Sequence, residues 1–154
     1  MDRRDIIAGG IGVGILALAD VARADDPKHP MMPTKPLPPL PPGLLEAITT
    51  CTTKAQACAA HCQYQLAAGD TAFAHCNAAV TDMLAVGWAT HSLVVRRSPN
   101  AKKLAEVCVA ACKECSAACA EHKAHFAHGM HLECKECMEA CDACAKACAA
   151  FAAA

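Results

Sequence analysis

Apolar and polar positions follow each other along the chain with the three- and four-residue rhythm of helices that each bury one stripe. Four such segments are separated by breakers. The first runs from about Leu44 to Ala67 and stops at Gly69, a residue that takes the left-handed conformation after a helix at little cost. Asp70 can cap the second, which extends to about Val95. Ser98 and Pro99 start the third with a capping hydroxyl followed by proline in the first turn, and it reaches to near Ala127. Gly129 supplies the next break, and the fourth segment runs from about Met130 to Phe151. Connections this short force consecutive helices to lie antiparallel. The pattern therefore predicts an all-α fold, an up-down-up-down four-helix bundle.

The stripes are filled by cysteine where a bundle normally places leucine or isoleucine. In the third segment Cys108, Cys112, Cys115 and Cys119 are spaced by 4, 3 and 4, and in the fourth Cys134, Cys137, Cys141, Cys144 and Cys148 are spaced by 3, 4, 3 and 4. At about 3.6 residues per turn such positions stay on one narrow face. The first segment repeats the phase with Cys51, Cys58 and Cys62, while Cys76 is the lone thiol of the second, on a face with Phe73, Val80, Met83 and Gly87. Between Cys134 and Cys148 the only large apolar side chain is Met138, so the inward face there must be cysteine. Each thiol in place of leucine gives up methylene burial at about 0.8 kcal/mol per CH2. Metal–thiolate bonds formed only in the folded state would offset that loss.

Softness and coordination number point to Cu(I) as the ion. Cysteines at i and i+4 have β-carbons about 5–6 Å apart, and two sulfurs so placed can flank a soft ion that accepts two or three thiolates. Sharing sulfurs between neighbouring ions allows many per chain. Zinc demands four ligands in a tetrahedron, and a continuous ladder does not divide naturally into such groups, so it stays a competitor. Iron–sulfur clusters favour loop cysteines with free N–H groups, which helices have already used. At the end of the bundle that holds Cys62, Cys76, Cys119 and Cys134, His122 and Met130 continue the cysteine seams by one step each. Imidazole and thioether are also Cu(I) ligands, so these two could form an entry mouth. His61, His75, His125, His128 and His131 lie near it, most of them expected in solvent. Leu44, Ile48, Trp88, Leu104 and Phe151 are expected to close the opposite end as ordinary core.

Composition narrows the alternatives. The 154 residues carry a formal charge of −1 with interspersed signs, which excludes the clustered basic patch of a nucleic-acid binder. Thirteen cysteines are an odd number and cannot all pair within one chain. No nucleophile with a paired His and acid, no phosphate loop and no open three-ligand site suggests an enzyme. At the N-terminus, Arg3 and Arg4 precede a weakly hydrophobic stretch, Ile6 to Ala19, and then Ala22-Arg23-Ala24 of small-x-small form. Residues 1–24 read as a twin-arginine export signal, giving a mature protein that is expected outside the cytoplasm, in the periplasm, and free of membrane. Residues 25–42 hold eight of the nine prolines and read as an extended tether, leaving residues 43–154 for the bundle.

The repeated CxxxC pairs, Cys58 with Cys62, Cys108 with Cys112, Cys115 with Cys119, Cys137 with Cys141 and Cys144 with Cys148, resemble those of the bacterial copper storage proteins, which are cysteine-rich four-helix bundles. The resemblance implies thiolate-bound Cu(I) through the interior, with all thirteen cysteines as ligands. It implies His and Met ligands near the open end, the candidates being His75, Met83, His122 and Met130. It also implies a homo-oligomer, a tetramer among the options, and supply of copper to a client enzyme. Two further readings stay open on the residues: a copper chaperone or detoxifying buffer for Cu or Zn, and a disulfide-stabilised helical interaction module.

Overall fold

The structure is a computed structural model that describes residues 35–154; the predicted signal sequence and most of the tether, residues 1–34, lie outside the described residues. Among the described residues the fold is all-helical. Four long helices, α1 (Leu44–Ala67), α2 (Ala74–Val95), α3 (Ala101–Ala120) and α5 (Leu132–Ala153), are accompanied by a one-turn helix α4 (Lys123–Phe126) and a 3-10 turn, Thr71–Phe73. Each long helix packs on two others: α1 and α3 both lie against α2 and α5.

The breakers act as local chemistry dictates. After α1, Gly69 takes φ 91° and the Asp70 amide donates back to the Gln65 carbonyl at 3.0 Å, which satisfies a helix-end acceptor. The Asp70 carboxylate then accepts from the Ala72 amide at 3.1 Å and starts the 3-10 turn that leads into α2. At the end of α2, Arg97 adopts φ 55° and the Ser98 amide reaches the Leu93 carbonyl at 3.0 Å, so the same motif is built here without glycine. Ser98 Oγ accepts from the Asn100 amide at 3.3 Å, but α3 starts at Ala101 with Asn100 at its cap position and no side-chain cap bond, so Ser98 and Pro99 shape the turn before the helix rather than its first turn.

Two further helix ends differ from the sequence pattern. The third helix stops at Ala120 rather than near Ala127, because the amides of Glu121 and His122 switch to carbonyls three residues back, at 3.3 and 3.1 Å. That tightening turns the His122 ring inward, where it is 6% exposed and stacks on Phe73 with centroids 4.1 Å apart. The fourth predicted helix, α5, begins at Leu132 rather than Met130, since His131 sits in the left-handed region at φ 53° and the chain turns there.

The compact unit begins at Leu37. Leu40 packs against the core, and Arg97 Nε donates to the Pro38 carbonyl at 2.9 Å, so the last residues of the proline-rich segment are held against the helices. Leu44 and Ile48 are buried as expected, and Phe151 packs on the core in part. Trp88, expected in that core, is instead half exposed. The inward stripe of α2 is Cys76, Val80, Met83, Gly87, Thr90 and Val94, and a residue one step after Gly87 is turned about 100° away from it. Gly87 itself marks the closest approach of α1 and α2: a β-carbon there would stand 2.8 Å from Thr52 Cγ2. Residues Thr71–Val95 are apolar and long enough to cross a membrane by length and composition, although one face of α2 is buried against its neighbours.

Candidate metal centre

All thirteen cysteines are buried, each 0–1% exposed, and all are free thiols. Their placement follows from helix periodicity. The 3-4 spacing puts each set on the stripe that α1, α3 and α5 bury, with small Ala55, Ala105 and Ala118 also buried in the packed helices. Within one helix, i,i+4 sulfurs are 4.0 Å apart for Cys58 and Cys62, 3.9 Å for Cys108 and Cys112, 4.0 Å for Cys137 and Cys141, and 3.9 Å for Cys144 and Cys148. Two metal–sulfur bonds of about 2.3 Å laid end to end span about 4.6 Å, so small side-chain adjustments would seat an ion between such a pair.

Across helices the sulfurs converge further. Cys58 Sγ lies 3.8 Å from Cys76, 3.8 Å from Cys119 and 3.7 Å from Cys134. Cys115 is 3.7 Å from Cys137, and Cys51 is 3.6 Å from both Cys141 and the Met83 sulfur. Five groups result in which every sulfur lies within 4.8 Å of the others: Cys58, Cys62, Cys76 and Cys134; Cys58, Cys119 and Cys137; Cys115, Cys137 and Cys141; Cys51, Cys112 and Cys141; and Cys108, Cys144 and Cys148. Every cysteine of the chain belongs to at least one. Cys58, Cys137 and Cys141 each belong to two, and the 3.9 Å contact between Cys112 and Cys108 joins the last two groups. The thiols thus form one connected series.

Crowding makes the series electrostatically uneven. Hydrogen bonding from Cys119 stabilises the Cys76 thiolate and holds its pKa down at about 4, while the hydrogen bond with Cys108, and burial after it, pushes Cys148 up to about 12. The same mutual hydrogen bonding lowers Cys51, Cys108, Cys134 and Cys137 and raises Cys58, Cys62, Cys112, Cys119, Cys141 and Cys144. A thiolate in this core is tolerated where neighbouring S–H groups donate to it. Binding of soft cations replaces the missing donors and expels protons.

The candidate His and Met ligands are scattered. Met83 is fully buried beside Cys51, well inside the thiol series. His122 is buried with Nε2 lacking a hydrogen-bond partner, so a nitrogen lone pair or N–H is free there. His75 points to the surface: its Nδ1 is 2.7 Å from Glu121 and its Nε2 3.4 Å from Glu114, and these carboxylates raise its pKa. Met130 lies before α5 and is 45% exposed, so it does not extend the α5 stripe from which its candidacy came.

The sequence did not single out Phe73 or His131 as a cap. Phe73, 1% exposed, is ringed by His61, His122 and His131 at centroid distances of 5.4, 4.1 and 4.9 Å. His61 Nε2 is 3.0 Å from His131 Nδ1, and burial followed by the neighbouring His61 lowers the pKa of His131. The abundance of histidine near this end was visible in the sequence, but their convergence depends on the left-handed turn at His131.

No match was found among curated proteins. A family model described as copper storage protein matches residues 43–153, well over half of the chain and inclusive of all thirteen cysteines. Because that match spans most of the chain, the chain belongs to the copper storage protein family.

Proposed function

We propose that this protein stores Cu(I), many ions per chain, inside an antiparallel up-down-up-down four-helix bundle lined by its cysteines. The observation that carries the reading is the continuity of the thiol series: five groups with shared members and 0–1% exposure. Cu(I) suits groups of three sulfurs because it accepts two or three thiolates, whereas a hard ion would find no oxygen donor there. Burial of every thiol favours a store over a chaperone, which needs an exposed site for exchange. Sulfur separations of 3.6–4.0 Å among free thiols favour metal chemistry over a disulfide-stabilised module.

The end capped by Phe73 and the histidines serves as the mouth in this reading, with His122 as its foremost nitrogen ligand. The twin-arginine signal places the protein outside the cytoplasm, in the periplasm, having crossed folded. It assembles as a homo-oligomer, with a tetramer as the working expectation, and releases copper to a client enzyme. Anaerobic titration of the reduced, metal-free protein with Cu(I) against a chromophoric chelator tests the central claim. Loading of many ions per chain is expected, and saturation at one or two would overturn storage.

A further inference from the structure

Only one of the five thiol groups has four members, and its shape differs in kind from the rest. Cys58 and Cys62 come from α1, Cys76 from α2 and Cys134 from α5, so Cys76, the single thiol of α2, is used here. A tetrahedral ion with metal–sulfur bonds of about 2.3 Å needs sulfurs about 3.8 Å apart. The three separations from Cys58 are 4.0, 3.8 and 3.7 Å, and every pair in the group is within 4.8 Å. All four sulfurs belong to residues that are 0% exposed, so no water is needed to complete the shell. The three-membered groups lack that fourth ligand.

Charge balance also favours this group. A dication held by four thiolates carries a net charge of −2, which a dry core penalises. Cys76 and Cys134 each occupy the third residue of their helices, α2 and α5, where the positive end of the helix dipole stabilises a thiolate.

We propose that the Cys58, Cys62, Cys76 and Cys134 quartet is a tetrahedral site for one divalent borderline-soft cation, Zn(II) being the chemical type, distinct from the Cu(I) held by the three-thiol groups. The proposal rests on the reading of these thiols as metal ligands. Ligation forms four metal–sulfur bonds and releases to solvent whichever of the four S–H protons are still bound. In copper-poor protein this ion pins α1, α2 and α5 together at the capped end. Incoming Cu(I), which binds thiolates more tightly than Zn(II) does, displaces it.

The test uses the full folded chain, reduced and metal-free under anaerobic conditions, with Co(II) as spectroscopic probe. One equivalent of Co(II) should give the intense visible d–d bands and sulfur charge-transfer absorption of a four-thiolate tetrahedral ion, and one equivalent of Zn(II) should abolish them. Cys76→Ala should lose the four-sulfur spectrum while Cys144→Ala retains it, both with native helical circular dichroism. If Cys76→Ala fails to fold, Cys62→Ala takes its place with the same expectation. No tetrahedral signal at one equivalent, or equal loss in Cys144→Ala, overturns the proposal. A parallel Cu(I) titration separates the two readings: many Cu(I) ions without a Co(II) site sinks the quartet alone, whereas one or two Cu(I) ions sinks storage.

Discussion

Replacing Cys112, Cys115, Cys141 and Cys144 together by serine discriminates between thiols that act in groups and thiols that act one at a time. Three of the five groups lose at least one member, and Cys51, Cys108 and Cys148 are left without their complete sets. Only Cys58, Cys62, Cys76, Cys119, Cys134 and Cys137 remain in intact groups, six of thirteen thiols, so grouped binding predicts that Cu(I) capacity falls to about half. Independent thiols would leave nine of thirteen, about 70%, because a hydroxyl oxygen is a poor ligand for a soft ion. The fold should survive. Buried hydroxyls in these helices already donate to the carbonyl one turn back, Thr52 to Ile48 at 3.1 Å and Thr90 to Val86 at 2.8 Å, and the new serines can do the same. At about 1 kcal/mol each the four changes cost about 4 kcal/mol, below the 5–15 kcal/mol typical of a domain of this kind. Anaerobic Cu(I) titration against a chelator, with circular dichroism on the same sample, reads both quantities. Capacity near 70% would refute the grouping, and unchanged capacity per folded chain would refute the metal role of these residues.

Other consequences follow from particular contacts. Gly87→Ala should destabilise the protein by about 1–2 kcal/mol in urea melts, because overpacking against Thr52 Cγ2 at 2.8 Å outweighs the roughly 1 kcal/mol gain in helix propensity; Thr52→Ser, which removes that methyl, should restore it, and an additive double mutant would count against the close approach as the cause. Phe73→Ala should cost about 3 kcal/mol and speed Cu(I) transfer to an external chelator, since it opens the cap over the thiol end; an unchanged transfer rate would place the exit elsewhere. Metal-free protein should be most stable near pH 9. Cys76, with a folded pKa of about 4 against an ordinary 9.0, leaves the unfolded chain holding the extra proton between those values, so stability rises with pH there. Cys148, at about 12, leaves the folded chain holding the proton above 9, so stability falls from pH 9 towards 12. Anaerobic denaturant melts across that range should trace a dome, which loading with Cu(I) flattens because the thiols are then already deprotonated.

The four long helices and the burial of the thiols were legible in the chain because both are properties of a single helix. A spacing of 3 and 4 fixes which face a residue occupies whatever lies opposite, and glycine, aspartate or proline at a boundary acts within a few residues of itself. The start of α1 at Leu44 and the end of α2 at Val95 follow from such local signals. Which sulfurs meet is another matter. The distance from Cys58 to Cys76, Cys119 and Cys134 depends on the rotation and axial offset of three other helices, and these are set by packing features such as the contact of Gly87 with Thr52. The capped end was less legible still: Met130 left the seam and Trp88 turned outward, while His122, His131 and Phe73 came together, through a change of backbone hydrogen bonding at Glu121 and one left-handed residue at His131. Sequence periodicity thus decided that sulfur would fill the interior, and tertiary packing decided how those sulfurs are partitioned, because ligand groups are made between helices and periodicity describes one helix at a time.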